Sequence, residues 1–448
     1  DEALYTHLMS LPVPGQTVTD KTSVAAAPAK TLDALYTRPY QCHASMGPSC
    51  AVAQWQDGKL VVWTHSQGVF PLRAELAKVF DVSAQDIRCV HAEGAGCYGH
   101  NGADDVALDA ALVARATAGR PVKLQWMRDD EFAWEPYGSA MVMKLSGGID
   151  AQGNVVAWSH ELWSHSHNTR PGASAGVNLL AARHLAPPRA PAPAADVPQP
   201  SGGSDRNAIP LYDFPNVKVV KHYIADAPIR TSALRTLGGY ANVFALESFV
   251  DELAALAGAD PVEFRLRHLL DKRARAVIEA AARRAGWQPS ARGDGVRGRG
   301  FAFAKYKNLA CYCAMAADVE VEEKTGVVRV TRVVAAVDAG EIVNPDGVIN
   351  QIEGGIIQSA SWTLKESVRF DRTRVTTRSW ADYPILRFGE VPAVEVVLLD
   401  QPGERFLGVG EGSQGPAAAA IANALANATG KRLRALPFTP ERVKKALA

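Results

Sequence analysis

The chain has 448 residues, with 48 Lys and Arg against 47 Asp and Glu. That near balance excludes a nucleic-acid or anionic-surface role carried by overall charge, and the length allows two to four domains with cores of their own. No stretch approaches the ~18 consecutive apolar residues of a membrane-spanning helix, and the six cysteines show no C-x-x-C, haem or ferredoxin spacing.

Residues 1–30 carry little periodicity and read as a linker or arm. The chain starts at Asp1 without the charged and apolar regions of a secretory leader, so the first residue reads as a cut, and a cytoplasmic or inner-membrane-associated setting is expected over secretion. Ordered structure is expected from Leu32. A hairpin follows, from Ala51 to Trp55 and from Lys59 to Thr64, then an amphipathic helix from Pro71 to Phe80. Between them, His65 and Gln67 stand on a polar turn at a strand end, where side chains face either a ligand or the turn itself.

A strand from Asp86 to Ala92 runs into a glycine loop, a helix starting after Gly102 and a further strand from Pro121 to Met127. Gly94, Gly96 and Gly99 satisfy G-x-G-x-x-G, so a nicotinamide- or flavin-binding unit is one reading, although the helix starts late for a pyrophosphate. A glycine loop pressed against another bulky ligand is the other. A second hairpin pairs Met141–Leu145 with Asn154–Trp158. The second strand continues towards His165 and His167, which share a face but lack partners for a metal site. Residues 185–203 are proline-rich and read as a surface excursion.

After a strand at Lys218–Tyr223, Arg235 precedes the Gly238-Gly239 pair at the start of a long helix, where a guanidinium and N-terminal amides together suit an anion. Residues 261–286 are helical and basic, and residues 293–300 read as a glycine and arginine hinge. The second half opens with Phe301 and pairs Ala317–Val321 with Val327–Val334. A helix from Gly347 to Trp362 collects Gln351, Gly354, Gly355 and Gln358 on one side. The boundaries expected are an arm (1–30), a first half (31–271), a connecting helix and hinge (272–300) and a second half (301–448).

The densest signal lies at residues 408–430. Glu411 sits between Gly410 and Gly412, ahead of an alanine-rich helix with Pro416 in its first turn and Gly430 as its C-cap. A carboxylate there suits a catalytic base or a helix cap.

These segments together resemble the large, molybdopterin-binding subunit of the xanthine oxidase family of molybdenum hydroxylases, of the isoquinoline 1-oxidoreductase and nicotinate dehydrogenase type. The resemblance rests on residues 40–48, Ser66 to Gly68, Gly94 to Gly99, Leu234 to Gly239, Asn344 through Gly355 and Gly410 to Gly412, in the family's order. It implies an α+β fold in which two mixed halves clasp a molybdopterin, expected as the cytosine dinucleotide, that itself holds the molybdenum without protein ligands. It implies Glu411 as the catalytic base and Gln67, Gly96, Cys97, Tyr98, Arg235, Gln351, Gly410 and Gly412 as cofactor contacts. A small N-heteroaromatic or aldehyde substrate is expected, with electrons leaving through a separate [2Fe–2S] subunit and a further acceptor protein. The chain departs from the family at Cys97, where relatives often have Phe, and at Leu237, where purine-oxidising members place an aromatic ring, so xanthine is not the expected substrate. The family's amino-terminal third and the fused cytochrome domains of some nicotinate-oxidising relatives have no counterpart in this sequence. Two other readings stand beside this one: a dinucleotide-dependent oxidoreductase using Gly94 to Gly99, and an inactive truncated subunit that only docks onto partners.

Overall fold

Order begins inside the stretch that composition marks as an arm. The structure, a computed structural model, describes residues 2–23, 27–117, 119–172, 175–289 and 291–448. Helix α1 (Glu2–Ser10) buries Tyr5 and Leu8, and strand β1 (Gln16–Thr22) pairs antiparallel with Asn216–Ile224. Residues 2–22 are therefore not a featureless linker. β1 escaped the sequence reading because it is an edge strand with mostly polar residues on both faces, which leaves no alternation to read.

Strands β2 (Lys30–Arg38), β3 (Cys50–Gln56) and β4 (Lys59–Thr64) lead to helix α2 (Val69–Phe80), strand β5 (Ile87–His91), helix α3 (Ala103–Ala116), strand β6 (Val122–Gln125) and helix α4 (Arg128–Trp134). The small sheet runs β5-β4-β3-β6, and α2 and α3 bury Leu72, Leu76, Val106 and Ala110 in its core. Here the dinucleotide reading fails. β5 and β6 are separated by β4 and β3, so they do not form an adjacent βαβ pair, and Asp104 and Asp105 occupy the first turn of α3, where a pyrophosphate would need positive charge.

Strands β7 (Met141–Ile149), β8 (Val155–His165) and β9 (Asn216–Ile224) complete a five-stranded sheet in the order β1-β9-β8-β7-β2. β8 and β9 are parallel, joined by the long crossover 166–215. The proline-rich part of that crossover ends in a buried knot: Ser204, Asp205, Arg206 and Asn207 are all buried, so the excursion returns to the interior at its carboxyl end.

Helices α5 (Gly239–Ala257), α6 (Pro261–Arg267) and α7 (Lys272–Ala285) precede β10 (Arg297–Lys305), β11 (Tyr312–Glu322), β12 (Val327–Asp338), helix α8 (Pro345–Leu364), strand β13 (Ala393–Leu398) and helices α9 (Gln414–Thr429) and α10 (Pro440–Leu447). The third sheet runs β10-β11-β12-β13. The expected hinge at 293–300 is a strand from Arg297 onward. Gly298 and Gly300 are there because a Cβ at either would run into the backbone of α9 at Ala424, Ala428 or Ala420. α9 is buried on nearly every side, between β10, β11, α5 and α8. Its alanines let backbones approach closely from all directions, which a helix of larger residues would prevent. One continuous core joins the five-stranded sheet, α5, α9 and the third sheet.

Candidate active site at the start of helix nine

α9 projects its leading loop into a junction of four loops. Gly412 lacks a side chain because Cys311 Sγ lies where a Cβ would stand, so this glycine serves core packing. At Gly410 the β-position meets nothing nearer than Gln351 Oε1 at 4.0 Å, which leaves that side of the loop open. Ser413 Oγ donates to the Ile352 carbonyl at 3.1 Å and Ser359 Oγ to the Gln414 carbonyl at 2.6 Å, fastening the loop to α8.

Between them stands Glu411. Its Oε1 accepts from the Thr236 main-chain N–H at 2.8 Å and its Oε2 from the Tyr306 hydroxyl at 2.6 Å. Arg206 Nη1 donates to the same Tyr306 oxygen at 2.6 Å. The carboxylate is thus fixed in orientation by two donors, one of them backed by a guanidinium. Burial, and then the negative charge of Glu411, push the Tyr306 phenol well above its ordinary range, which keeps it a donor.

Thr236 and Leu237 both adopt left-handed backbone, with φ of +77° and +55°. Such conformations cost about 1–2 kcal/mol each for non-glycine residues. They are held by Leu237 N–H to the Leu234 carbonyl, Gly239 N–H to the Thr236 carbonyl and Arg38 Nη1 to the Leu237 carbonyl. The strained turn aims the Thr236 N–H at the carboxylate.

Arg235, in the same turn, closes the junction. Nε donates to the Gly410 carbonyl at 2.8 Å, Nη1 to Gln358 Oε1 at 3.1 Å, and Nη2 to the Gln351 carbonyl and Oε1 at 3.2 and 3.0 Å. The Gln414 amide, oriented with its nitrogen donating to the Glu411 carbonyl at 3.1 Å, offers its oxygen to Arg235 Nη1 at 3.2 Å. Burial holds the Arg235 guanidinium below its ordinary range, and the nearby Glu411 charge opposes that shift.

The glycine loop adjoins through the backbone. Arg235 N–H donates to the Tyr98 carbonyl at 2.7 Å and His100 N–H to the Ala233 carbonyl at 2.8 Å. Gly99 has φ +139° and lies so close to Ala233 that no side chain fits there. Cys97 turns inward, its Sγ donating to the Gly99 carbonyl at 3.1 Å and Asn101 Oδ1 at 3.2 Å, and burial pushes its thiol up to about 11. Tyr98 is over a third exposed, and its ring folds back over Gly96.

Of the residues expected at the site, Glu411, Gly410, Gly412, Arg235 and Gln351 come together directly, and Gly96, Cys97 and Tyr98 adjoin as the neighbouring loop. Gln67 stands apart. It is exposed and accepts from Arg170 Nη2 at 2.9 Å, on a turn that touches the glycine loop through His65 and Gly94. Sequence reasoning missed Tyr306, Arg206 and Thr236, which position the Glu411 carboxylate. The only signal was weak: a tyrosine between Lys305 and Lys307 at the end of an apolar strand, and the charged pair Asp205-Arg206 after a proline run.

A ligand of the pterin kind fits this junction. The exposed side of α8 presents Gln351, Gln358 and Gly354, whose β-position has nothing within 4 Å, while Gly355 on the adjacent side packs on Ser413 and Gln414. Amides, a guanidinium and main-chain N–H groups around an open glycine face suit a polar, anionic, many-acceptor group. Among the described residues no group of three His, Cys, Asp or Glu is placed to hold a metal ion directly, and no helix is long and apolar enough to cross a membrane.

Residues 13–188 match the family model of a molybdopterin cofactor-binding domain, and residues 216–392 match a second such model. The chain is 43% identical over 432 residues to a nicotinate dehydrogenase subunit from Pseudomonas putida, covering 94% of this chain and 35% of that protein. It is 28% identical over 428 residues to the beta chain of isoquinoline 1-oxidoreductase from Brevundimonas diminuta, covering 92% and 52%. The chain therefore spans from about a third to about half of these relatives. Among solved structures, quinoline 2-oxidoreductase from Pseudomonas putida 86 superposes with a TM-score of 0.79 at 17% identity, over 97% of this chain and 79% of that one. Aldehyde oxidoreductase from Desulfovibrio gigas gives 0.76 at 17% identity, over 97% and 63%. The fold of these two is the fold seen here.

Proposed function

The chain belongs to the molybdopterin-binding large subunits of the xanthine oxidase family, and from that membership we propose that it is the catalytic part of a hydroxylase oxidising an N-heteroaromatic compound or an aldehyde. The observation that carries the proposal is Glu411, a half-buried carboxylate fixed at both oxygens within a junction of amides, Arg235 and glycine loops that is open beside Gly410. The curated relatives act, by their names, on nicotinate and isoquinoline.

When bound, the molybdenum group supplies a two-electron oxidation centre at which oxygen from water is added to carbon. Gln351, Gln358 and the backbone of residues 96–99 and 410–412 would hold it, with Arg235 orienting the two amides through their oxygens. Glu411 acts as the base: a carboxylate with two fixed donors keeps one orientation and has no freedom to swing away from the proton it takes. Tyr306 and Thr236 set that orientation, and Arg206 keeps the phenol in place. The cytosine dinucleotide form of the pterin, a separate [2Fe–2S] subunit and an acceptor beyond it belong to the same proposal. Nucleotide released by acid tests the first, and co-purification from the native host tests the others.

The deciding experiment is Glu411→Gln in enzyme purified with its partners. We expect turnover to fall by about 10² or more, the range of a lost general base, with molybdenum content per chain unchanged. Turnover within twofold of the wild type would remove Glu411 from the chemistry.

A further inference from the structure

Three cations surround Glu411, and two of them are already fully engaged. Arg235 is saturated by the carbonyl and amide oxygens of Gly410, Gln351 and Gln358. Arg206 donates to the carbonyls of Ser201 and Gly202 as well as to the Tyr306 oxygen. Lys305, next to the site, gives its ammonium to the Tyr312 hydroxyl at 2.8 Å. Lys307 differs: its Nζ lies 5.2 Å from the centre of the Tyr306 ring and has no hydrogen-bonding or ion-pair oxygen among the described residues.

The backbone beneath Lys307 is built to hold it there. Lys307 and Asn308 both have left-handed φ, +58° and +55°, in the tight loop between β10 and β11. Lys307 N–H donates to Asn207 Oδ1 at 2.9 Å, Asn207 Nδ2 to the Lys305 carbonyl at 2.8 Å, and Asn308 Nδ2 to the Ile209 carbonyl at 3.0 Å. Ala310 N–H donates back to the Tyr306 carbonyl at 2.8 Å. A lysine kept in strained backbone by two buried-side asparagine clamps is not a freely waving surface cation. Partial burial, and then the positive charge of Arg206, hold its ammonium below the ordinary lysine range; the Glu411 carboxylate opposes that shift. An anion beside it would relieve this cost.

We propose that Lys307 is a specificity-determining residue whose ammonium receives a carboxylate carried on the substrate's aromatic ring. The proposal rests on the hydroxylase reading of Glu411. The Lys307 ammonium sits over the face of the Tyr306 ring, and the hydroxyl of that same ring holds the Glu411 carboxylate, so one residue brings the cation and the carboxylate to one side of the junction. A substrate ring entering there would set its own carboxylate against Lys307 with a ring carbon turned to Glu411. Neutral rings lose this contact, and aldehydes without a ring acid have nothing to place there.

The test uses the holoenzyme with its partners and pairs of isosteric compounds: pyridine-3-carboxylate against pyridine-3-carboxamide for turnover, and benzoate against benzamide for equilibrium binding by calorimetry. In the wild type the carboxylates are favoured. Lys307→Met, which keeps the length of the side chain and removes its charge, lowers the carboxylate-to-carboxamide ratio of kcat/KM by about tenfold or more, the size of one charge-assisted hydrogen bond. It also weakens benzoate and not benzamide, and Lys307→Arg restores the ratio. A ratio that stays within twofold in Lys307→Met, or a uniform loss for acid and amide alike, overturns the proposal. A wild type that holds molybdenum and oxidises neutral rings but not the acid overturns it while leaving the hydroxylase reading intact. Folded wild type without molybdenum overturns that reading and this proposal with it.

Discussion

Tyr306 has a single hydroxyl, shared between Glu411, which accepts from it, and Arg206, which donates to it. Tyr306→Phe leaves both without that partner in a half-buried setting, a loss of about 1–3 kcal/mol. Since the phenol hydroxyl orients the Glu411 carboxylate, proposed above as the base, kcat is expected to fall about tenfold or more with a smaller change in KM. Steady-state kinetics on the holoenzyme reads both. An unchanged kcat would mean that the Thr236 N–H alone suffices to hold the carboxylate. At this scale the sequence was legible where local chemistry is unusual, as for Glu411 between two glycines or Arg235 before a glycine pair. It was silent where a residue's role comes from partners far along the chain. Tyr306 meets Glu411 across 105 positions and Arg206 across 100, and no spacing rule reaches that far.

The misread hinge teaches something about strands. Arg297, Gly298, Arg299 and Gly300 alternate, with Arg297 and Arg299 reaching Glu320 and Asp318 across the sheet and the glycines against α9. The period-two signal was present, but the inward face carries glycine instead of a β-branched residue, because what covers it is the backbone of a helix. Gly300→Ala tests that account. The new methyl has no room between Ala420 and Ala424, so the helix must move, at a cost of about 1–3 kcal/mol for overpacking. A lowered urea midpoint is expected, together with reduced molybdenum content, because α9 anchors the 410–412 backbone proposed to hold the cofactor. A neutral result would show that α9 can slide. The hairpins β3–β4, β7–β8 and β11–β12 were legible because each joins two apolar, strand-forming runs across a turn signal.

Across the whole molecule the described residues form three apolar clusters, and the amino-terminal segment belongs to the third. Leu8 is fully buried there with Tyr5, Tyr40, Phe132, Tyr137 and Tyr383. Leu8→Ala is expected to lower stability by about 2–4 kcal/mol, where a linker residue would cost almost nothing. A denaturation midpoint equal to the wild type's would return residues 2–22 to the status of an arm. The sequence reading expected a division into two halves at the glycine and arginine segment 293–300, where the structure places the start of β10. The continuity of one core through both large sheets was not legible, since it depends on α9, whose alanines carry no amphipathic pattern that marks a buried face. The crossover from β8 to β9 that delivers Arg206 has a further consequence in time. Arg206, Arg235, Tyr306, Gln351 and Glu411 leave the ribosome in that order, Glu411 last. At about 5–20 residues per second, roughly 10–40 s separate the first of these from Glu411. Through most of that interval the nascent chain has Arg206 and Arg235 but not Glu411. The constellation is thus a late contact of high sequence separation.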